Sequence, residues 1–289
     1  MSERLLEARP AKSRLWSNRI FGTLIVSAAV FTMVPAILIL VQIVQKGSSS
    51  LSWEFLSQST PFSMVRDGGG FLNGLIGSSL MVGIATVVAV PLGILAAIYL
   101  VEYGKSNWLA KLIRFFADVM TGVPSIFVGV FVYTALVRGH GYGALMGAAA
   151  LALIMMPIIV RSSEEMLTLV PRELKEASYA LGAAKWQTIS RVVLPTAAPG
   201  LVTGSMLAVA RAAGETAPLI MTALGSLHLV TKLTDTPISS LTLLIYKQAG
   251  QPFDAAQARA WAGALELLAI VLIFTIAARM YSSRSRIAQ

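Results

Sequence analysis

The chain reads as an all-α polytopic membrane protein with six transmembrane helices, and three observations lead there. Apolar residues fill 56% of its 289 positions and charged ones only 13%, about half the charged share usual in soluble domains. The apolar residues gather in blocks of about 20, each of which has to face lipid or another block. Between the blocks lie polar segments whose Lys and Arg content is uneven.

Residues 1–19 form a polar amino-terminal segment with Arg4, Arg9, Lys12, Arg14 and Arg19, and the first span follows at 20–44. Basic residues before an apolar run also mark secretory leaders. This run is longer than the apolar core of about 7 to 15 residues in a leader, and no small-x-small cleavage site ends it, so a retained helix is expected. An outer segment, 45–73, carries Gly47-Ser48-Ser49-Ser50 and the flexible Gly68-Gly69-Gly70. Further spans are expected at 74–101, 114–137, 143–160, 200–224 and 260–280, with polar stretches at 161–199 and 225–259 and a tail at 281–289.

Lys and Arg set the orientation. Five precede the first span, three lie in 102–114, five in 161–199 and three near the carboxyl end, all on one side; Lys46, Arg66, Arg138, Lys232, Lys247 and Arg259 lie on the other. The positive-inside rule makes both termini and 161–199 cytoplasmic. A net charge of +9 would suggest nucleic acid in a soluble protein. Here the basic residues are spread over loops without an aromatic-interleaved face, so no nucleic-acid partner is expected. With no Cys and only His140 and His228, disulfides and thiolate metal sites are excluded, and neither a metal nor a cofactor is expected.

The polar stretch 161–199 has the pattern of a helical hairpin. A helix beginning near Pro171 would place Glu173 and Glu176 in its early turns, where the positive end of its dipole favours carboxylates. Ala177, Ala180, Leu181 and Ala184 would make a narrow face of small residues, and Gly182 allows a turn. Trp186, Ile189, Val192 and Val193 form a second apolar stripe, and Pro195 and Pro199 are expected to end the hairpin before the fifth span. Such a hairpin either rests on the membrane surface or docks another protein.

Arg211 and Glu215 stand four residues apart inside the fifth expected span, on one helical face. Charges at that depth are costly, so they either neutralise each other or line a water-filled route. Pro218 leaves the Gly214 carbonyl without its helical donor, which loosens the segment around Thr216. Asp118 and Glu266, the other acids inside spans, read as structural. Gly143-x-x-x-Gly147 and Gly200-x-x-x-Gly204 permit close helix contact. Gly104-Lys105-Ser106 matches the end of a phosphate-binding loop, but Tyr99 stands where its first Gly belongs, so ATP hydrolysis by this chain is not expected.

Two stretches carry a family resemblance. Glu176-Ala177-Ser178-Tyr179-Ala180-Leu181-Gly182, with Leu194-Pro195 twelve positions after the Gly, resembles the coupling loop of ABC importer permeases, with Ser178 in place of an Ala. Arg211-Ala212-Ala213-Gly214-Glu215-Thr216-Ala217-Pro218-Leu219 resembles the phosphate-importer permeases, and Ala217-Pro218 resembles their PstA-type members. Gly68-Gly69-Gly70, Tyr99-Leu100-Val101-Glu102-Tyr103 and Gly122-Val123-Pro124-Ser125-Ile126 agree with it.

The resemblance implies a type I ABC importer permease fold with its core in 74–280, in a bacterial inner membrane. It further implies a PstC-like second permease subunit, a PstB-like ATPase dimer and a periplasmic phosphate-binding protein as partners, with phosphate as cargo. Glu176, Ala177, Ser178, Gly182, Leu194 and Pro195 would then serve ATPase coupling, and Arg211, Gly214, Glu215, Thr216 and Pro218 the substrate pathway. The alternatives are another oxyanion such as sulfate or molybdate, or an ion-gradient-driven secondary transporter. The latter often carries paired broken helices, and the sequence suggests only one break, at 214–218.

Overall fold

The computed structural model describes residues 12–104 and 107–287, with side chains from 16 to 280 over those stretches. Lys105 and Ser106, and with them most of the Gly104-Lys105-Ser106 turn, lie outside the described residues, as do the first eleven positions. Among the described residues the fold is helical, and the one β-pairing is an isolated bridge between Leu224 and Ile238.

α1 (Lys12–Ser48) is a single apolar rod that begins before the expected first span and includes Pro35. It lies against the last helix, where Lys46 Nζ sits 4.9 Å from the Trp261 ring centre; almost all its remaining surface is open to lipid or a partner. α2 (Trp53–Ser57) is a single turn capped by the Ser52 hydroxyl. α3 (Leu72–Ile98) continues through a π-helical turn, Tyr99–Gly104.

The third expected span, 114–137, is not one straight helix. α4 (Trp108–Gly122) and α5 (Ser125–Val132) meet at an angle of 109°, with Val123 and Pro124 extended between them. Pro124 disfavours the α conformation at Val123 and cannot donate to a helical carbonyl. α5 runs on through a π-helical turn, Tyr133–Val137, into α6 (Arg138–His140).

α7 (Ala144–Thr168) extends the fourth expected span by two turns and is the most buried of the long helices. α8 (Arg172–Ala180) and α9 (Lys185–Thr188) form the hairpin. Leu181 and Ala184 sit in its turn, so they do not share one helical face with Ala177 and Ala180. Pro195 and Pro199 do not end it either. α9 passes through the π-helical Ile189–Val193 into α10 (Leu194–Ala213), giving one apolar helix from Lys185 to Ala213. A π-helical adjustment beside Pro re-satisfies freed carbonyls, which is why membrane helices tolerate it.

The fifth expected span stops at Gly214. α11 (Ala217–Thr222) follows the break, and the stretch 225–259 then contains α12 (Leu241–Ala249), capped by Ser240. α13 (Asp254–Ile287) closes the chain. Among the described residues five helices are long and apolar enough to cross a membrane, and the bent α4–α5 pair makes a sixth crossing if counted as one.

Small residues hold the bundle tight. Met81, Ala85 and Ala89 of α3 pack on Ala148, Leu151, Met155 and Ile159 of α7, joined by Ala208 and Ala212 of α10 and Leu219 of α11. Gly147 lies against Met81, and Gly204 against Ser162, closer than a Cβ would allow. Lipid tails provide no hydrophobic drive between helices, so this close approach supplies the attraction. At one end the hairpin meets the turn after α3 through Lys175 and Glu102. At the other, the buried Arg259 guanidinium donates to the Met64, Arg66 and Gly68 carbonyls, and Asn73 to those of Ser226 and Leu227.

Candidate functional site

The break after α10 gathers the expected pathway residues. Gly214 ends the helix with its N–H on the Arg211 carbonyl at 3.1 Å. Thr216 starts α11, its carbonyl accepting from Leu219 and Ile220, and Pro218 sits in the first turn, where a missing N–H costs nothing. The Glu215 carbonyl, freed by the break, accepts from Thr242 Oγ1 at 2.9 Å.

Arg211 Nε lies 3.6 Å from Glu215 Oε1, with the Arg side chain 55% exposed and the Glu side chain 14%. That separation is an ion pair rather than a good hydrogen bond. The guanidinium therefore retains free N–H groups, and its planar fork matches the oxygens of a tetrahedral oxyanion.

Sequence reasoning missed the other wall. Arg211 lines a small cavity with Thr121, Val123 and Ser125 of the α4–α5 break and Pro157 of α7; its volume is about 20 Å³. That holds about one water, too little for a tetrahedral oxyanion, while the Arg211 side chain is 55% exposed on its other side. The helices that follow the two breaks touch directly: a Cβ at Gly129 of α5 would stand 2.7 Å from Pro218 Cα of α11. Pro124, with its bias on Val123, was the signal that could have located the first break.

The hairpin residues occupy the far end of the same helix. Pro195 is sixteen residues before Arg211, about 24 Å along an α-helix. Glu176 and Ala177 are exposed on α8, while Ser178 Oγ contacts Thr188 Oγ1 of α9 at 2.9 Å. Gly182 turns the chain at φ +80°, and the N–H groups of Gly182 and Ala183 return to the Tyr179 and Ser178 carbonyls. This is a Schellman close, which needs a left-handed residue at the position Gly182 holds. Leu194 and Pro195 belong to the continuous helix rather than to the hairpin's turn. Leu181 and Trp186 stand 89% and 61% exposed, an apolar tip left open by the described residues.

Of the two remaining acids within spans, Asp118 pairs with Arg161. Glu266 is buried with neither carboxylate oxygen hydrogen-bonded.

Comparison with known proteins gives these features a family. Residues 89–287 match the model for the binding-protein-dependent transport system inner membrane component. The phosphate transport system permease protein PstA of Yersinia pestis is 42% identical over 98% of this chain and 96% of its own length. The PstA of Haemophilus influenzae is also 42% identical, over 84% of this chain and 86% of its own. Among solved structures, a bacterial alginate ABC transporter in complex with its alginate-bound periplasmic protein matches over 96% of this chain and 98% of that one, with a TM-score of 0.69 at 12% identity. The MetNI methionine ABC transporter in an inward-facing conformation matches over 74% and 93%, with a TM-score of 0.56 at 23% identity. Those two likenesses establish the ABC importer permease fold, and the sequence relatives narrow it: the chain belongs to the binding-protein-dependent inner membrane transport components and, within them, to the PstA family of phosphate transport permeases.

Proposed function

We propose that this chain is the transmembrane permease subunit of an ATP-driven importer of inorganic phosphate, forming half of the anion pathway and responding to a separate ATPase. One observation carries it above the rest: 42% identity to a phosphate permease along nearly the whole of both chains. The subunit works in a bacterial inner membrane with a periplasmic binding protein and an ATPase. Its specific partners are a PstC-like second permease subunit and a PstB-like ATPase dimer, with both chain termini and the hairpin 161–199 in the cytoplasm. The excess of Lys and Arg on the hairpin side supports that orientation.

Arg211 receives the anion as it leaves water, its fork taking phosphate oxygens. Glu215 holds Arg211 in place and accepts a hydrogen bond from the hydroxyl of monohydrogen or dihydrogen phosphate, a donor that ionised sulfate lacks. Gly214, Thr216 and Pro218 keep the backbone broken there, as polar backbone at membrane depth needs a cavity or protein around it. In the hairpin, Glu176, Ala177, Ser178 and Gly182 shape the surface that meets the ATPase, and Leu194 and Pro195 carry its movement into α10. A second broken helix removes one ground for setting aside a gradient-driven carrier; membership of this family supplies a firmer one. No ATP hydrolysis is assigned to the chain itself.

Radiolabelled phosphate uptake in a strain lacking its own permease tests the reading. Expression of this chain with its partners should restore uptake that excess sulfate and molybdate do not suppress. Uptake that continues after loss of the ATPase would refute it.

A further inference from the structure

We propose that Glu102 is a positioning residue that makes the hairpin, α3 and α4 move as one body, so that a push on the hairpin reaches the α4–α5 break beside Arg211. This rests on the reading of 161–199 as the ATPase-coupling loop. The starting point is the winding of Tyr99–Gly104 as a π-helix. Wider winding at a helix end shifts carbonyls off their usual donors and leaves them for other partners.

Two cations from elsewhere take them. Arg114 Nη2 of α4 donates to the Leu100 carbonyl at 3.2 Å, and Lys185 Nζ of α9 donates to the Glu102 carbonyl at 2.5 Å. Lys185 also sits 4.2 Å from the centre of the Tyr103 ring, a favourable cation–π position. The Glu102 carboxylate, only 8% exposed, accepts from Lys175 Nζ of α8 at 2.5 Å. One residue thus grips both arms of the hairpin, α8 through its side chain and α9 through its backbone.

A largely buried ion pair contributes little net stability compared with apolar packing, but it fixes a geometry and is costly to leave half-made. The charge contacts continue beyond it. Arg114 Nε donates to Glu164 Oε1 at 2.6 Å, Arg161 Nη1 to Glu164 Oε2 at 3.1 Å, and Arg161 Nε to Asp118 Oδ1 at 2.7 Å. Asp118 stands one turn before the break whose Thr121 and Val123 share a cavity wall with Arg211. Polar contacts, joined by backbone between Leu100 and Glu102 and from Asp118 to Val123, therefore lead from the hairpin to the cavity wall that Arg211 shares, parallel to the covalent link through α10.

The test uses the whole complex, reconstituted in liposomes with its binding protein, and reads phosphate taken up per ATP hydrolysed. A single Cys replacing the exposed Ala184, in a chain with no Cys of its own, reports hairpin docking through a thiol-to-amine cross-link to the ATPase. Glu102→Gln and Lys175→Gln should each lower uptake per ATP by about fivefold or more while the cross-link still forms, with the double variant no worse than either. Lys175→Arg should keep most of the parent's value. If Glu102→Gln does not assemble, Lys175→Gln on the more accessible partner carries the test. Unchanged uptake per ATP with the cross-link intact would overturn the role of Glu102. A parent complex without the cross-link would instead overturn the coupling-loop reading, and the proposal would fall with it.

Discussion

Two crossings of this chain are interrupted, and the contrast between them separates shape from chemistry. At Val123 and Pro124 the chain turns through 109° on two extended residues, and no charged side chain takes part in the turn. At Gly214–Thr216 the helix stops under an Arg–Glu pair, and Thr242 accommodates the carbonyl that the stop releases. The first break is an elbow that shapes a wall. The second puts a cation on that wall, and Gly129 lets the helices beyond the two breaks, α5 and α11, come within backbone contact.

If that division is right, the largest loss follows from the charge. Arg211→Gln should lower phosphate uptake roughly ten- to a hundredfold at normal protein levels, since a hydrogen bond to a charged group contributes about 1.5–3 kcal/mol and about 1.4 kcal/mol is tenfold. Uptake left intact would remove Arg211 from the pathway and make its pair with Glu215 merely structural. Next comes the contact between α5 and α11, the helices that follow the breaks. Gly129→Val pushes a side chain into Pro218 and should destabilise the subunit by about 1–3 kcal/mol, read as a lower melting temperature in detergent. No change there would mean α5 and α11 do not pack as described. The smallest effect belongs to the elbow itself: Pro124→Ala should cost less than about 1 kcal/mol, because Val123 and the packing of α5 also hold the bend. A large loss of uptake with normal stability would show that Pro124 itself, and not only the bend it sits in, is needed for transport.

The same contrast governs what could be read from the sequence. The break at 214–218 announced itself because Arg211 and Glu215 are conspicuous in an apolar run and Pro218 follows them. The break at 122–125 hid inside an uninterrupted apolar stretch, where Pro124 was the one sign and membrane helices often absorb Pro, as α7 does with Pro157 and α10 with Pro199. Hydropathy located the spans but not their ends: α7 runs past 160 to Thr168 because Arg161, Glu164 and Glu165 satisfy helical geometry even where they leave the lipid. The helical hairpin and its turn at Gly182 followed from local spacing. Its fusion with α10 did not, since Pro195 and Pro199 read as stops until the π-helical turn between Ile189 and Val193 is seen. Contacts such as Lys175 to Glu102 join residues 73 positions apart, and nothing in local pattern foretells them.

The fusion of α9 with α10 has a mechanical consequence. From Lys185 to Arg211 is about 39 Å at 1.5 Å per residue, so a tilt of about 10° pivoting at the hairpin end displaces Arg211 by about 7 Å if the helix stays stiff. That is roughly two water diameters, and because Ala208 and Ala212 beside Arg211 are buried against α3 and α7, a tilt of that size has to carry the neighbouring helices with it.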